Sequence, residues 1–284
     1  MTTITQFVAL APNGERTGAA GAGALKMAYT RNGQGFPFVM VHGYTGSKLD
    51  FADQTESFED IRTVITPDLR GHGETEQEPP YHLEQLTTDL LAFLEAADIP
   101  RCDLLGHSMG GMIAMRAAAQ APERFRSLIL MDTAARSVAL TNDEVASHLA
   151  EIVAEEGCQG LLPLMQMGTQ SAAVERGIAY LGEAEHWRRV RLKLSQLDPQ
   201  AFIDCRTALL GPIIDDAALA SINCPTTILV GEQDHAFRKP AEHLLATLPN
   251  ASLQVIAHAA HSPQYESHDA WRRCVRQHLE QVSL

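Results

Sequence analysis

Cys102-Asp103-Leu104-Leu105-Gly106-His107-Ser108-Met109-Gly110-Gly111-Met112 is the stretch whose reading decides the fold. A short apolar strand signal, Cys102–Leu105, runs into a glycine-flanked serine. A helical pattern, Met112–Gln120, follows and stops near Pro122. Gly106-His107-Ser108-Met109-Gly110 fits G-x-S-x-G, which composition alone would supply roughly once in ten to twenty chains of this length. The setting is what makes it informative: strand, sharp turn and helix in succession. So tight a turn leaves no room for side chains two residues before and two residues after the serine. It pushes the hydroxyl into the open above a helix N-terminus, whose N–H groups favour developing negative charge.

The same alternation extends to both sides of this turn. Strand signals fall at Thr5–Leu10, Leu25–Thr30, Phe38–Val41 and Thr63–Thr66 before it, and at Leu128–Met131, Thr227–Val230 and Leu253–Ile256 after it. Leu83, Leu86, Leu90, Leu91 and Leu94 line one face of a helix over Leu83–Ala97, and a closing helix is expected from about Asp269 to Gln281. A Gly/Ala-rich loop is expected at 11–24. Short strands alternating with helices imply a mostly parallel sheet covered on both faces, an α/β fold. One segment breaks the alternation. Residues 134–213 hold helical patterns (Glu144–Glu156, Ala172–Leu181, Glu185–Leu197) and no convincing strand. We expect a helical cap there, inserted between a first core segment, 1–133, and a second, 214–284, and lying over the carboxyl edge where open α/β sheets bind ligands.

Composition narrows the function classes. Twenty-two basic against thirty-five acidic side chains leave a formal charge of −13 over 284 residues, which disfavours nucleic acid and anionic membrane surfaces as partners. The N-terminus lacks the basic start and apolar stretch of a signal peptide, and no apolar run is long enough to span a bilayer. Cys102, Cys158, Cys205, Cys224 and Cys274 show no Cys-x-x-Cys spacing, which suits buried thiols in a reducing cytoplasm. His258 and His261, three apart with no nearby carboxylate or cysteine partner, make a poor metal pair. Neither metal nor cofactor is expected, nor the glycine register of a nucleotide-binding loop.

With the serine turn in place, the chain resembles the α/β-hydrolase superfamily over nearly its whole length. His42-Gly43-Tyr44 after the third strand resembles that family's oxyanion loop. Pro67-Asp68-Leu69-Arg70-Gly71-His72-Gly73 resembles its structural turn, Gly231-Glu232-Gln233-Asp234 its acid-bearing turn, and His261-Ser262-Pro263 its histidine loop. The order nucleophile, acid, histidine also matches. Ala260 departs from the pattern, standing where a glycine is frequent. The resemblance implies a sheet of about eight strands and a Ser-His-Asp triad. Ser108 would be the nucleophile, His261 its base and Asp234 the carboxylate orienting the ring, with the backbone N–H groups of Tyr44 and Met109 as oxyanion donors. Asp132, ending the strand after the nucleophile helix, is a competing acid, and His258 a competing base. Tyr44 and His107 would border the substrate, His107 packing or hydrogen-bonding within the turn. His42, His72, Asp68 and Arg70 read as structural.

A serine at this turn, where related dehalogenases and epoxide hydrolases carry aspartate, implies acyl chemistry on a small carboxylic ester or lactone. Enol-lactonase, carbon–carbon bond hydrolase and cofactor-free perhydrolase or haloperoxidase activities share the same triad, and a small-molecule receptor of this fold is the non-enzymatic alternative. A monomer or homodimer is expected. In the cap, the basic run His186-Trp187-Arg188-Arg189-Val190-Arg191-Leu192-Lys193 reads as a solvated face, or as the source of one arginine that meets a substrate carboxylate. Met165-Gln166-Met167 reads as packed cap core or as an adaptable apolar lining.

Overall fold

The computed structural model describes residues 4–10, 24–138, 143–168 and 171–283. Except for Ala24, the loop expected at 11–24 lies outside them. Eight strands form one sheet: β1 (Gln6–Leu10), β2 (Leu25–Gly33), β3 (Pro37–Val41), β4 (Thr63–Pro67), β5 (Cys102–His107), β6 (Phe125–Met131), β7 (Thr226–Gly231) and β8 (Ala251–Ile256). Their order is β1-β2-β4-β3-β5-β6-β7-β8. β2 runs antiparallel to β1 and β4, and the pairings from β4 to β8 are all parallel. The sheet is therefore mostly parallel, as the alternation of elements predicts.

Eleven helices are described: α1 (Leu83–Ala96), α2 (Met109–Gln120), α3 (Asp143–Glu156), α4 (Leu162–Met167), α5 (Ala172–Leu181), α6 (Glu183–Ser195), α7 (Pro199–Leu209), α8 (Asp216–Ala220), α9 (His235–Thr247), α10 (Pro263–Glu266) and α11 (His268–Gln281). The period-2 alternation of the strands sorts the core into two layers. Val39, Val41, Leu104 and Leu130 face one side and pack with α1, α2 and α9, through Leu90, Ile113 and Leu244. Phe38, Met40, Leu105 and Ile129 face the other and pack with Trp271, Val275 and Leu279 of α11.

All the strands expected from sequence are present, most extended by one to three residues. α2 begins three residues earlier than its periodicity suggests, because Gly110 and Gly111 weaken the helical signal over the first turn. α6 is displaced two residues toward the N-terminus, starting directly after Gly182, whose φ is +80°. α7 and α9 were not resolved as helices by pattern. α7 nonetheless carries a start signal in its sequence, Asp198 accepting from the N–H groups of Gln200 and Ala201 with Pro199 at the first position. α9 is masked by its interior Pro240. Between β6 and β7 the described residues contain helices α3 to α8 and no strand.

The strand order positions the site. The chain passes from β3 outward to β4, then crosses back over β3 to β5. Connections leaving β3 and β5 diverge, and their carboxyl ends open a crevice at this switch point. The loop after β3 begins at His42 and the turn after β5 is centred on Ser108, so both lie at that crevice.

Candidate active site

Ser108 sits at φ +53° and ψ −116°, a strained backbone for any residue with a side chain. The surroundings hold it there. Its N–H donates to Met131 O at 2.8 Å, and its carbonyl accepts from Gly111 N and from Thr133 Oγ1 at 2.7 Å. The glycines around it are steric requirements. A Cβ on Gly106 would lie 2.6 Å from Gly111 Cα, one on Gly110 2.6 Å from His42 O, and one on Gly111 2.6 Å from Thr133 Cβ. α2 can thus approach β3 and β6 closely enough to present the serine at the crevice.

Two more loops complete the arrangement. Asp234 follows β7 and is buried; although it stands at the N-cap position of α9, its side chain does not cap the helix. Its Oδ2 accepts from His261 Nδ1 at 2.6 Å. That leaves His261 Nε2 as the acceptor toward Ser108 Oγ, 3.1 Å away. The ring of Phe237 stacks on the imidazole with centroids 4.8 Å apart. Gly231 lets the histidine loop cross the end of β7, since a Cβ there would come within 2.6 Å of Ala259 O. His258 is exposed at φ +60°, its N–H donating to Glu232, and it is not brought to the serine.

Asp132 lies beside this cluster but has a different role in it. Its Oδ1 accepts the Gly231 N–H at 2.8 Å. Burial first, then the adjacent Asp234 charge, push its carboxyl well above the ordinary carboxylate range. Asp132 is therefore the aspartate whose charge the site disfavours, and Asp234 is the one hydrogen-bonded to the imidazole. Ligand atoms of Asp132, Asp234 and His261 lie within 4.8 Å of one another.

Sequence patterning missed Glu266. Its buried carboxylate accepts from the N–H groups of Ala260 at 2.7 Å and Ser262 at 2.8 Å, bracketing His261, and pairs with Arg176 of α5 at 2.9 Å. A glutamate five residues past a histidine gives no local signal of such a clamp.

The loop after β3 faces the serine. A Cβ on Gly43 would stand 3.1 Å from Ser108 Cβ. Thr45, at φ +59°, and the Gly46 N–H bond to Gly43 O close the loop into a tight turn. Met109 opens α2, so its N–H has no intrahelical acceptor, and among the described residues neither it nor the Tyr44 N–H donates to a protein acceptor. His42 is fully buried, donating from Nδ1 to Gly43 O and accepting the Leu69 N–H on Nε2; burial pulls it down to about 4, so it is neutral. His72 is lowered to about 4 in the same way. Asp68 accepts from Lys48 N and Nζ and from Glu74 N, and Arg70 makes a two-pronged pair with Asp89. His42 and Asp68 tie the loop after β3 to the turn after β4, while Arg70 ties that turn to α1.

A cavity of about 330 Å³ opens over Ser108, lined among others by Tyr44, His107, His261, Asp50, Lys193 and Tyr265. Tyr44 and His107 thus border it as expected. Burial holds His107 at about 3, and its Nε2–H donates to His261 O at 2.7 Å. Of the two readings of the basic run, the alternative of an arginine at the serine finds no support here. Arg188 is held by Glu185, and Arg189 by Glu185 and Asp53. Among the described residues the basic run contributes Lys193 to the cavity wall and no arginine. Met165 and Met167 form neither cap core nor cavity lining: α4 has no buried residue, and both methionines are exposed.

The family model described as "Alpha/beta hydrolase family" matches residues 38–273. The chain belongs to that family. The pimeloyl-[acyl-carrier protein] methyl ester esterase of Chromobacterium violaceum is 30% identical over 87% of this hydrolase and 96% of that protein. The 3-oxoadipate enol-lactonase 2 of Acinetobacter baylyi is 27% identical over 84% of this chain and 87% of its own. A solved thermophilic esterase from Thermogutta terrifontis superposes with a TM-score of 0.78 at 26% identity, covering 98% and 99% of the two chains. The match to an ethanol acetyltransferase of Hanseniaspora uvarum, 36% identical, spans only 34% of this chain and 29% of that protein. Among the described residues no helix is long and apolar enough to cross a membrane.

Proposed function

We propose that this alpha/beta hydrolase cleaves a small carboxylic ester or lactone through an acyl-enzyme on Ser108. His261 Nε2 takes the Ser108 proton as Oγ attacks the carbonyl carbon, and Asp234 steadies the imidazolium. The Tyr44 and Met109 N–H groups receive the oxyanion, a service in which one donor is typically worth about 3–4 kcal/mol of barrier. Collapse breaks the C–O bond, and His261 returns the proton to the departing alcohol oxygen, which stays tethered if the substrate is a lactone. Water then gives a proton to His261 and attacks the acyl carbon, releasing the acid and restoring Ser108. Residues 134–213 act as the cap that roofs the cavity. The five cysteines stand free, in keeping with a reducing cytoplasm.

The observation that carries this reading is the bridge made by one imidazole, 2.6 Å from Asp234 on one nitrogen and 3.1 Å from Ser108 Oγ on the other. The esterase and enol-lactonase relatives support the choice of ester and lactone. The test is a panel of p-nitrophenyl esters, lactones and thioesters run on the wild type and Ser108→Ala, with a serine-directed phosphonate as label. We expect turnover on the panel, its loss by about 10⁴-fold or more in the variant, and a mass shift on the peptide holding Ser108. Full activity of Ser108→Ala would overturn the reading.

A further inference from the structure

We infer that the substrate bears a free carboxylate and that Lys193 of α6 binds it within the cavity over Ser108. This rests on the acyl-enzyme reading above and narrows its substrate class. Two charged side chains, Asp50 and Lys193, face each other across the cavity wall. The Asp50 oxygens are already engaged. Oδ1 accepts from Lys193 Nζ at 2.7 Å, and Oδ2 accepts the Ser47 N–H in the capping box of the turn Lys48–Phe51. Although burial opposes its charge, Lys193 keeps Asp50 below its ordinary range, so it stays ionised.

Lys193 is placed differently. An ammonium has three donors, and Asp50 takes one. The side chain remains 22% exposed while lining the cavity. Three of the polar side chains that line the cavity are committed elsewhere. Tyr44 donates its hydroxyl to Phe202 O, Tyr265 donates to Leu49 O, and His107 is neutral and committed to His261 O. One ammonium with donors to spare, already shared with one carboxylate, suits a single negative charge better than a phosphate dianion. The volume is at the small end for ligand sites. A surface carrying a net −13 repels anions in general, and Lys193 is the one lysine or arginine among the described residues that line the cavity, so it is the group there that favours an acidic ester.

The experiment compares p-nitrophenyl hemiglutarate with its neutral counterpart, p-nitrophenyl pentanoate. In Lys193→Met the ratio of kcat/KM, acidic over neutral, falls about 10–100-fold from the wild-type ratio, mainly through KM, as expected for loss of a charge-assisted hydrogen bond. Lys193→Arg recovers part of it. Since Lys193→Met leaves Asp50 buried without its partner, Asp50→Asn/Lys193→Met is assayed beside it and shows the same fall. A ratio within twofold of wild type in both variants overturns the inference. If the wild type hydrolyses neither ester, the acyl-enzyme reading stands or falls on the wider panel and the Ser108 label, and calorimetry of glutarate binding to wild type and Lys193→Met decides the role of Lys193. Equal affinities overturn it; an affinity at least tenfold weaker in the variant sustains it.

Discussion

The turn around Ser108 and the helix α6 both contribute to the lining of one cavity and are specified in opposite ways. From Gly106 to Gly111 the backbone leaves almost no choice. Three of six positions must be glycine because a Cβ would strike Gly111, His42 or Thr133. Along α6 six of the thirteen side chains are charged, and what each does depends on the face it occupies. All three of Arg188, Arg189 and Lys193 are paired with carboxylates, but of these only Lys193, five and four residues further on, lines the cavity. A site element built on steric exclusion announces itself in sequence. One built on orientation does not.

The largest effect that can test this comparison concerns the two aspartates, since both end strands of the core and only one touches the histidine. Asp234→Asn should lower kcat by roughly 10⁴-fold, because an amide cannot hold the Nδ1–H tautomer as a carboxylate does. Asp132→Asn should keep kcat within about tenfold of wild type. An asparagine tolerates the φ of +44° at that position, and its amide oxygen accepts the Gly231 N–H. Steady-state kinetics on the two variants decide it, and equal losses would show that Asp132 is the ionised partner.

The next effect contrasts glycines. Gly110→Ala drives a methyl into the carbonyl end of β3 and should cost about 3 kcal/mol in denaturant unfolding, with loss of activity as α2 is displaced. Gly177→Ala in α5 meets only His186, at 3.6 Å, and should stabilise by about 0.5–1 kcal/mol through helix propensity. A mild Gly110→Ala would mean that the elbow is less crowded than its geometry requires.

A pH dependence belongs to the core. His42, His72 and His278 are lowered to about 4 and His107 to about 3, in each case first by burial. Between pH 6.5 and those values the unfolded chain binds protons that the folded chain refuses. Their contribution is therefore complete above pH 6.5 and is lost as pH falls, with a slope of up to about 1.4 kcal/mol per pH unit for each group. Asp68 and Asp132, raised by burial, act in the opposite sense and reduce the net slope. Calorimetry should give a lower Tm at pH 5 than at pH 7. The reverse order would mean that these histidines are hydrated in the folded protein.

The α/β architecture, the strands and the sharp turn at Ser108 are legible in the chain because each depends on a local rule, whereas Asp234 and His261 are singled out only by the resemblance of their loops to the α/β-hydrolase pattern. Alternation with period 2 marks strands, glycines mark the close approach of α2 to β3, and a serine between them has one place to go. Glu266 and Lys193 were not legible as site residues. Glu266 clamps the histidine loop through two N–H groups, and Lys193 stands beside Asp50, 143 positions away in the chain. Which of two aspartates meets the imidazole, and which cation of a basic run turns inward, follow from burial and from neighbours that only packing brings together. Local periodicity carries no record of either.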